Sequence, residues 1–156
     1  MKTYGLLFAL VLGLVPAFGA EKKVDYYSAA QLQALGKTLS TEAQSKSTGL
    51  VAHPLDKYAN DSTLMAFRNT SGSAELHKHA ADLMVVVDGD ATLVTGGTMV
   101  DLKTVREGEL MGKSIDGGHS QKLGPGDIVH IESNTPHQLL LQPGRTFTYF
   151  VLKVKE

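Results

Sequence analysis

The chain has 156 residues, enough for one domain with a real core and too few for two. Its 15 basic and 16 acidic residues leave a formal net charge of −1, so charge gives no reason to expect nucleic acid or an anionic membrane surface as a partner. Cysteine is absent, which excludes disulfides, thiolate metal sites and thiol catalysis.

Residues 1–20 read as a secretory signal peptide. Lys2 gives a positive start, Gly5 to Val15 is an apolar run, and Pro16 breaks it. Ala17, Gly19 and Ala20 are small and allow cleavage after Gly19 or Ala20. The apolar run is shorter than the ~20 residues that span a bilayer. The expectation is a cleaved leader, no stable membrane span afterwards, and an exported chain, periplasmic or secreted.

Residues 21–61 read as an N-terminal arm with a short helix. Ser28-Ala29-Ala30-Gln31 is a capping-box pattern, the helix follows over Ala29 to Leu35, and Gly36 is its expected stop. Thr38 to Asn60 is polar and weakly patterned, either a second helix in part or a loose arm. The lead segment and the helix 29–35 have an apolar side with no obvious place on a small barrel, so a homodimer is expected.

Residues 62–156 read as a β domain. Strands are expected over Leu64–Arg68, Ala74–His79, Leu83–Val87 and Ala91–Thr95, then over Ile128–Ile131, Gln138–Leu141 and Thr146–Val154. Gly124-Pro125-Gly126-Asp127, Asn134-Thr135-Pro136 and Pro143-Gly144 are turn signals between them. Many short strands at this spacing predict an all-β sandwich or small barrel. Gly96 to Leu123 is long for a connection and predicts an added strand or flap.

The residues that carry chemistry are His77-Lys78-His79, Asp82 and, after a proline turn, His137. In a strand, positions i and i+2 share a face, so His77 and His79 are expected to point together. If Ala80-Ala81 is the loop of a tight hairpin, Asp82 faces His79 across the ladder. Alanines are poor residues for such a turn, which makes Asp82 the weakest member. His137 starts an apolar strand with Leu139 and Leu141 on its face. A hairpin centred on Pro143-Gly144 would pair His137 with Phe150. Three imidazoles and a carboxylate suffice for one divalent transition metal: Mn, Fe, Ni, Cu or Zn. His53, His119 and His130 have no partner at ligand spacing. Gln121, Gln138, Arg145 and Tyr149 offer polar contacts that spacing does not rank.

These motifs resemble the cupin superfamily. Its first motif has His-x-His, a carboxylate after a gap of three or four residues, and a glycine seven residues later; His77-Lys78-His79, Asp82 and Gly89 are similar. Its second has Gly-Asp, a hydrophobic strand, then Pro-His; Gly126-Asp127 to Ile131 and Pro136-His137 are similar. Three departures stand out. Asp82 replaces the usual glutamate, the gap after His79 is two residues, and Glu132 stands where proline is usual. The resemblance implies a double-stranded β-helix, a jelly-roll barrel, with a metal held by His77, His79, Asp82 and His137. It implies a small-molecule ligand and permits three functions. They are a metalloenzyme of oxygenase, isomerase or lyase type, a non-catalytic binding or sensing module, and a structural jelly roll. No catalytic group beyond the metal ligands is identifiable.

Overall fold

Ser28 begins the first element as its sequence predicts. Its hydroxyl oxygen accepts the Gln31 N–H at 3.2 Å, and Gln31 Oε1 accepts the Ser28 N–H at 2.8 Å. In the computed structural model, residues 24–156 are described; the expected signal peptide lies outside them.

Helix α1 (Ala29–Ala43) runs on past Leu35 and Gly36, so Gly36 is not a stop. It is a point of close approach, where an added Cβ would lie 2.8 Å from Thr148 Cγ2. Strands β1 (Leu50–Lys57) and β2 (Asp61–Arg68) follow. Part of the expected loose arm is thus a strand paired to β2. Next come β3 (Ala74–His77), β4 (Ala80–Gly89) and β5 (Ala91–Thr95). The Gly96–Leu123 insertion holds β6 (Thr98–Val100), β7 (Lys103–Arg106), β8 (Glu109–Gly112), β9 (Ser114–Asp116) and β10 (His119–Leu123). The chain ends with β11 (Ile128–Ile131), β12 (His137–Leu140) and β13 (Phe147–Lys155).

Two antiparallel sheets face each other. The first has the order β1-β2-β13-β4-β11 and the second β10-β5-β12-β3-β8-β7, with β6-β9 as a separate pair. The chain changes sheet between β2 and β3, between β3 and β4, between β4 and β5, and again on each side of β11 and after β12. This is a double-stranded β-helix, the all-β jelly roll with one short N-terminal helix that the sequence implies.

Alternation sorts the side chains of the first sheet. Ala66, Met84, Phe147, Tyr149 and Val151 face the interior, where Leu93 and Leu139 of the second sheet meet them. Met65 and Phe67 face outward and pack with Leu39 and Ala43 of α1. The helix covers that face, so β2 reads as a continuous apolar run and not as an alternating one. The apolar side of α1 is therefore buried on its own barrel, while Val24 and Tyr26 of the lead segment are exposed.

Two local expectations fail for one reason: neighbouring strands in sequence go to different sheets. Ala80-Ala81 is not a hairpin loop. Both residues open β4, and the chain bends at Lys78-His79 as it crosses between sheets. His137 does not pair with Phe150. It pairs with Glu75 and Thr95, while Phe150 pairs with Met65 and Val85 in the other sheet. Gly89, the glycine of the first motif, has φ +78°, and a Cβ there would lie 2.0 Å from the Thr146 carbonyl oxygen. That position excludes any side chain.

The contact at Gly36 is testable by coupling. Alanine inside a helix gains about 1 kcal/mol over glycine, but here it meets the stiff Thr148 methyl. Gly36→Ala is expected to stabilise the fold by about 1 kcal/mol only in a Thr148→Ser background, where that methyl is gone. Urea unfolding of the four variants checks this; equal gains in both backgrounds would refute the close contact.

Candidate metal centre

The centre is built by strand register. Glu75 and His77 are two apart on β3 and share its inner face. His137, first residue of β12, lies directly opposite Glu75. Glu109 of β8 lies directly opposite His77. From the first sheet, Asp82 of β4 and Lys153 of β13 are direct cross-strand partners. The two sheets bring these pairs face to face in the interior.

One ligand atom each from Glu75, His77 and His137 lies within 4.8 Å of the others. The His77 and His137 rings are 5.2 Å apart between centroids. Asp82 Oδ2 is 3.3 Å from His77 Nε2 and 3.9 Å from His137 Nε2. Glu75 Oε2 is 3.8 Å from His77 Nε2. His77, Asp82 and His137 are buried and Glu75 is half-buried.

The outer nitrogens of both rings have partners. His77 Nδ1 lies 2.6 Å from Glu109 Oε2, and His137 Nδ1 lies 3.0 Å from the Thr135 carbonyl oxygen. Each acceptor takes an Nδ1–H, which leaves both Nε2 lone pairs on the side of Glu75 and Asp82. Carboxylate or carbonyl behind imidazole is the usual outer support of a metal-binding histidine. The donor set, two imidazole nitrogens with carboxylate oxygens, fits a divalent transition ion.

Asp82 is shared. Lys153 Nζ is 2.6 Å from its Oδ1, an ion pair at contact distance. The angle is off the hydrogen-bond direction, so neither atom has a hydrogen-bond partner among the described residues. The pair still attracts at this distance, because Coulomb attraction depends little on direction.

Of the four residues expected from sequence, the structure brings three together, His77, Asp82 and His137. His79 lies beyond the end of β3, exposed, with its ring against Gly108. Alternation stops at His77, so the i, i+2 argument holds for Glu75 and His77 and not for His77 and His79. Counted from His77, the four residues 78–81 precede Asp82, which is within the spacing of the first motif. The apparent short gap came from starting the count at His79. Glu75, Glu109 and Lys153 were missed. Only Glu75 had a local signal, its place two residues before His77.

Burial disfavours charge on both imidazoles, with different outcomes. At His77 burial is outweighed by the hydrogen bond and charge of Asp82 and by Glu109, against Lys153, so its pKa is raised. At His137 burial prevails, helped by the charge of His77 and offset in part by the Thr135 carbonyl, so its pKa is lowered. Burial would raise the pKa of Asp82, but His77 and Lys153 hold it below the usual carboxylate range.

No family model matches the sequence, and no curated protein matches it. Solved structures do match the fold. An uncharacterized conserved protein with a double-stranded β-helix domain from Klebsiella pneumoniae superposes with a TM-score of 0.56 at 11% identity, over 85% of this chain and 91% of that one. The DMSP lyase DddQ from Ruegeria pomeroyi superposes with a TM-score of 0.50 at 16% identity, over 69% of this chain. The match spans about half of DddQ, 47% of its length. The fold is the double-stranded β-helix. It is the fold that cupins share, and the likeness is one of fold.

The two buried imidazoles are expected to titrate on opposite sides of the ordinary value of about 6.5 in metal-free protein. His77 keeps its proton above that pH, and His137 stays neutral below it. Linked to folding, the His77 contribution is complete below its unfolded value and is lost as pH rises through its folded value. The His137 contribution runs the other way: stability falls as the unfolded imidazole takes up a proton below about pH 6.5. An NMR titration of the ring protons checks the order; His137 titrating above His77 would refute it.

Proposed function

We propose that the mature chain is an exported, metal-binding cupin acting on a small molecule held inside the barrel. The observation that carries the reading is the paired support of two buried imidazoles. Glu109 and Thr135 occupy both Nδ1 protons, so both Nε2 lone pairs are free for one ion. His77, His137 and Glu75 would hold it, with Asp82 as a fourth ligand shared with Lys153. Mn, Fe, Ni, Cu and Zn all suit such donors. Bound there, the ion would supply Lewis acidity to an oxygen of a chelating ligand.

The chain's own residues define what enters. The cavity is about 260 Å³, lined by Leu64, Met84 and Val151 on one side and by charged groups on the other. That is below the usual range for drug-sized ligands, roughly 300–1,000 Å³, and points to a small substrate. Tyr149 is buried in the wall. Burial raises its pKa, with Arg68 countering and Glu75 and Asp82 adding to the rise, so it stays a protonated donor. The leader pattern of residues 1–20 supports export. Among the described residues no helix is long and apolar enough to cross a membrane.

The reaction we favour is metal-assisted chemistry of oxygenase, isomerase or lyase type. One observation favours a second reading, a non-catalytic binding or sensing module. Lys153 already compensates Asp82, so the buried carboxylate does not depend on an ion.

Elemental analysis of protein purified from its exporting host tests the metal reading. Wild type is expected to carry about one divalent ion per chain. His77→Ala and His137→Ala should abolish binding, Glu75→Gln should weaken it, and His79→Ala should leave it unchanged. Loss on His79→Ala equal to that on His77→Ala, or metal-free wild type after zinc dialysis, would overturn the assignment.

A further inference from the structure

Arg68 is the buried charge that the metal centre does not use. It ends β2 on the inner face, in step with Leu64 and Ala66, and is 4% exposed. The chain leaves room for it: a Cβ on Gly72 would lie 2.1 Å from its Nη1. Its Nε is buried and has no hydrogen-bond partner among the described residues. Arg68 lines the cavity beside the metal centre and also a side recess of about 30 Å³, shared with Ser73, Glu75, His137, Gln138 and Tyr149. The recess therefore borders two residues of the metal centre.

The Tyr149 hydroxyl partners the Arg68 guanidinium, but the buried Nε–H is left without an acceptor, and an unmet buried charged donor is destabilising. Such a group is retained where a bound molecule supplies the acceptor. The lining charges point the same way. Arg68, Arg106 and Lys153 balance Glu75, Asp82 and Glu109 around the cavity. A divalent ion added to a balanced lining leaves excess positive charge, which an anionic ligand would offset. The recess is small, about 30 Å³, so it admits only a compact group. The guanidinium fork pairs with carboxylate and phosphate alike; the small recess favours the flat carboxylate over the bulkier tetrahedral phosphate.

We propose that Arg68 anchors the carboxylate of a small carboxylic acid, whose other oxygen functions face the His77–His137 centre. The proposal rests on the reading that the barrel interior is the ligand site, and it names the ligand class. Arg68 is a binding residue in it, and Gly72 keeps its guanidinium in place.

The test uses mature protein, zinc-loaded and chelator-treated in parallel, with succinate, succinamide and inorganic phosphate as probes. Arg68 is one of three arginines, so its Nε–H signal can be assigned in wild-type protein by NMR. Succinate is expected to shift that signal, and succinamide is not. Calorimetry of Arg68→Met should show succinate binding weakened about tenfold or more, as for loss of a charged hydrogen bond, with zinc stoichiometry unchanged. An unmoved Nε–H at saturating succinate, or a larger response to phosphate, overturns the proposal. If Arg68→Met does not fold, the wild-type signal decides alone. Zinc binding without a succinate response defeats this inference and spares the metal reading. A succinate response in protein that binds no zinc does the reverse.

Discussion

The whole centre depends on where β3 ends. The strand stops at His77 because the chain must leave the second sheet for the first, and the crossing takes place at Lys78-His79. Backbone bonds anchor the bend: Lys78 N–H donates to the Gly108 carbonyl at 2.7 Å, and Asn134 N–H donates to the His77 carbonyl at 2.8 Å. With that end point set, alternation turns Glu75 and His77 inward, and register places His137 and Glu109 opposite them. A strand two residues longer would present His79 instead, and the first sheet would receive Asp82 at a different depth.

The same constraint explains what was legible from sequence. Turn residues and short apolar runs gave the β domain, because those signals are local. β5 and β11 match their expected bounds. The histidines of the centre were visible because histidine is rare and the second motif marks His137. The choice between Glu75 and His79 as the neighbour of His77 was not visible. Both stand two residues away, and only the end of the strand separates them. Glu109, Lys153 and Arg68 are placed by strand pairings within each sheet, between residues far apart in sequence. No periodicity within a single strand encodes such a pairing. The length of α1 was hidden for a similar reason: Gly36 looks like a terminator until Thr148 of β13 is seen beneath it.

The insertion between β5 and β11 is more than a connection. Its strand β8 pairs with β3 and supplies Glu109, the carboxylate behind His77. Arg106 is 3.9 Å from that carboxylate, exposed at the mouth. The segment that could be taken for a surface flap thus orients a buried imidazole. Changes in its length or packing would act on the centre through the His77 ring, without touching a ligand directly.

A barrel interior with this many charges is an expensive arrangement. Buried ion pairs commonly contribute little net stability, since desolvation offsets their attraction. Lys153 with Asp82 and His77 with Glu109 therefore do not explain why the barrel holds together. The apolar half of the interior and the second core under α1 do that. Leu39, Met65 and Phe147 are fully buried, the first on the inner side of the helix, the second beneath it and the third within the barrel. Apolar burial at roughly 25 cal/mol per Å² is the term able to carry a polar cavity of this size. On this argument α1 has a functional consequence although it touches no site residue. By adding a second apolar core on the outer face of the first sheet, it allows the inner face to carry Arg68, Asp82 and Lys153.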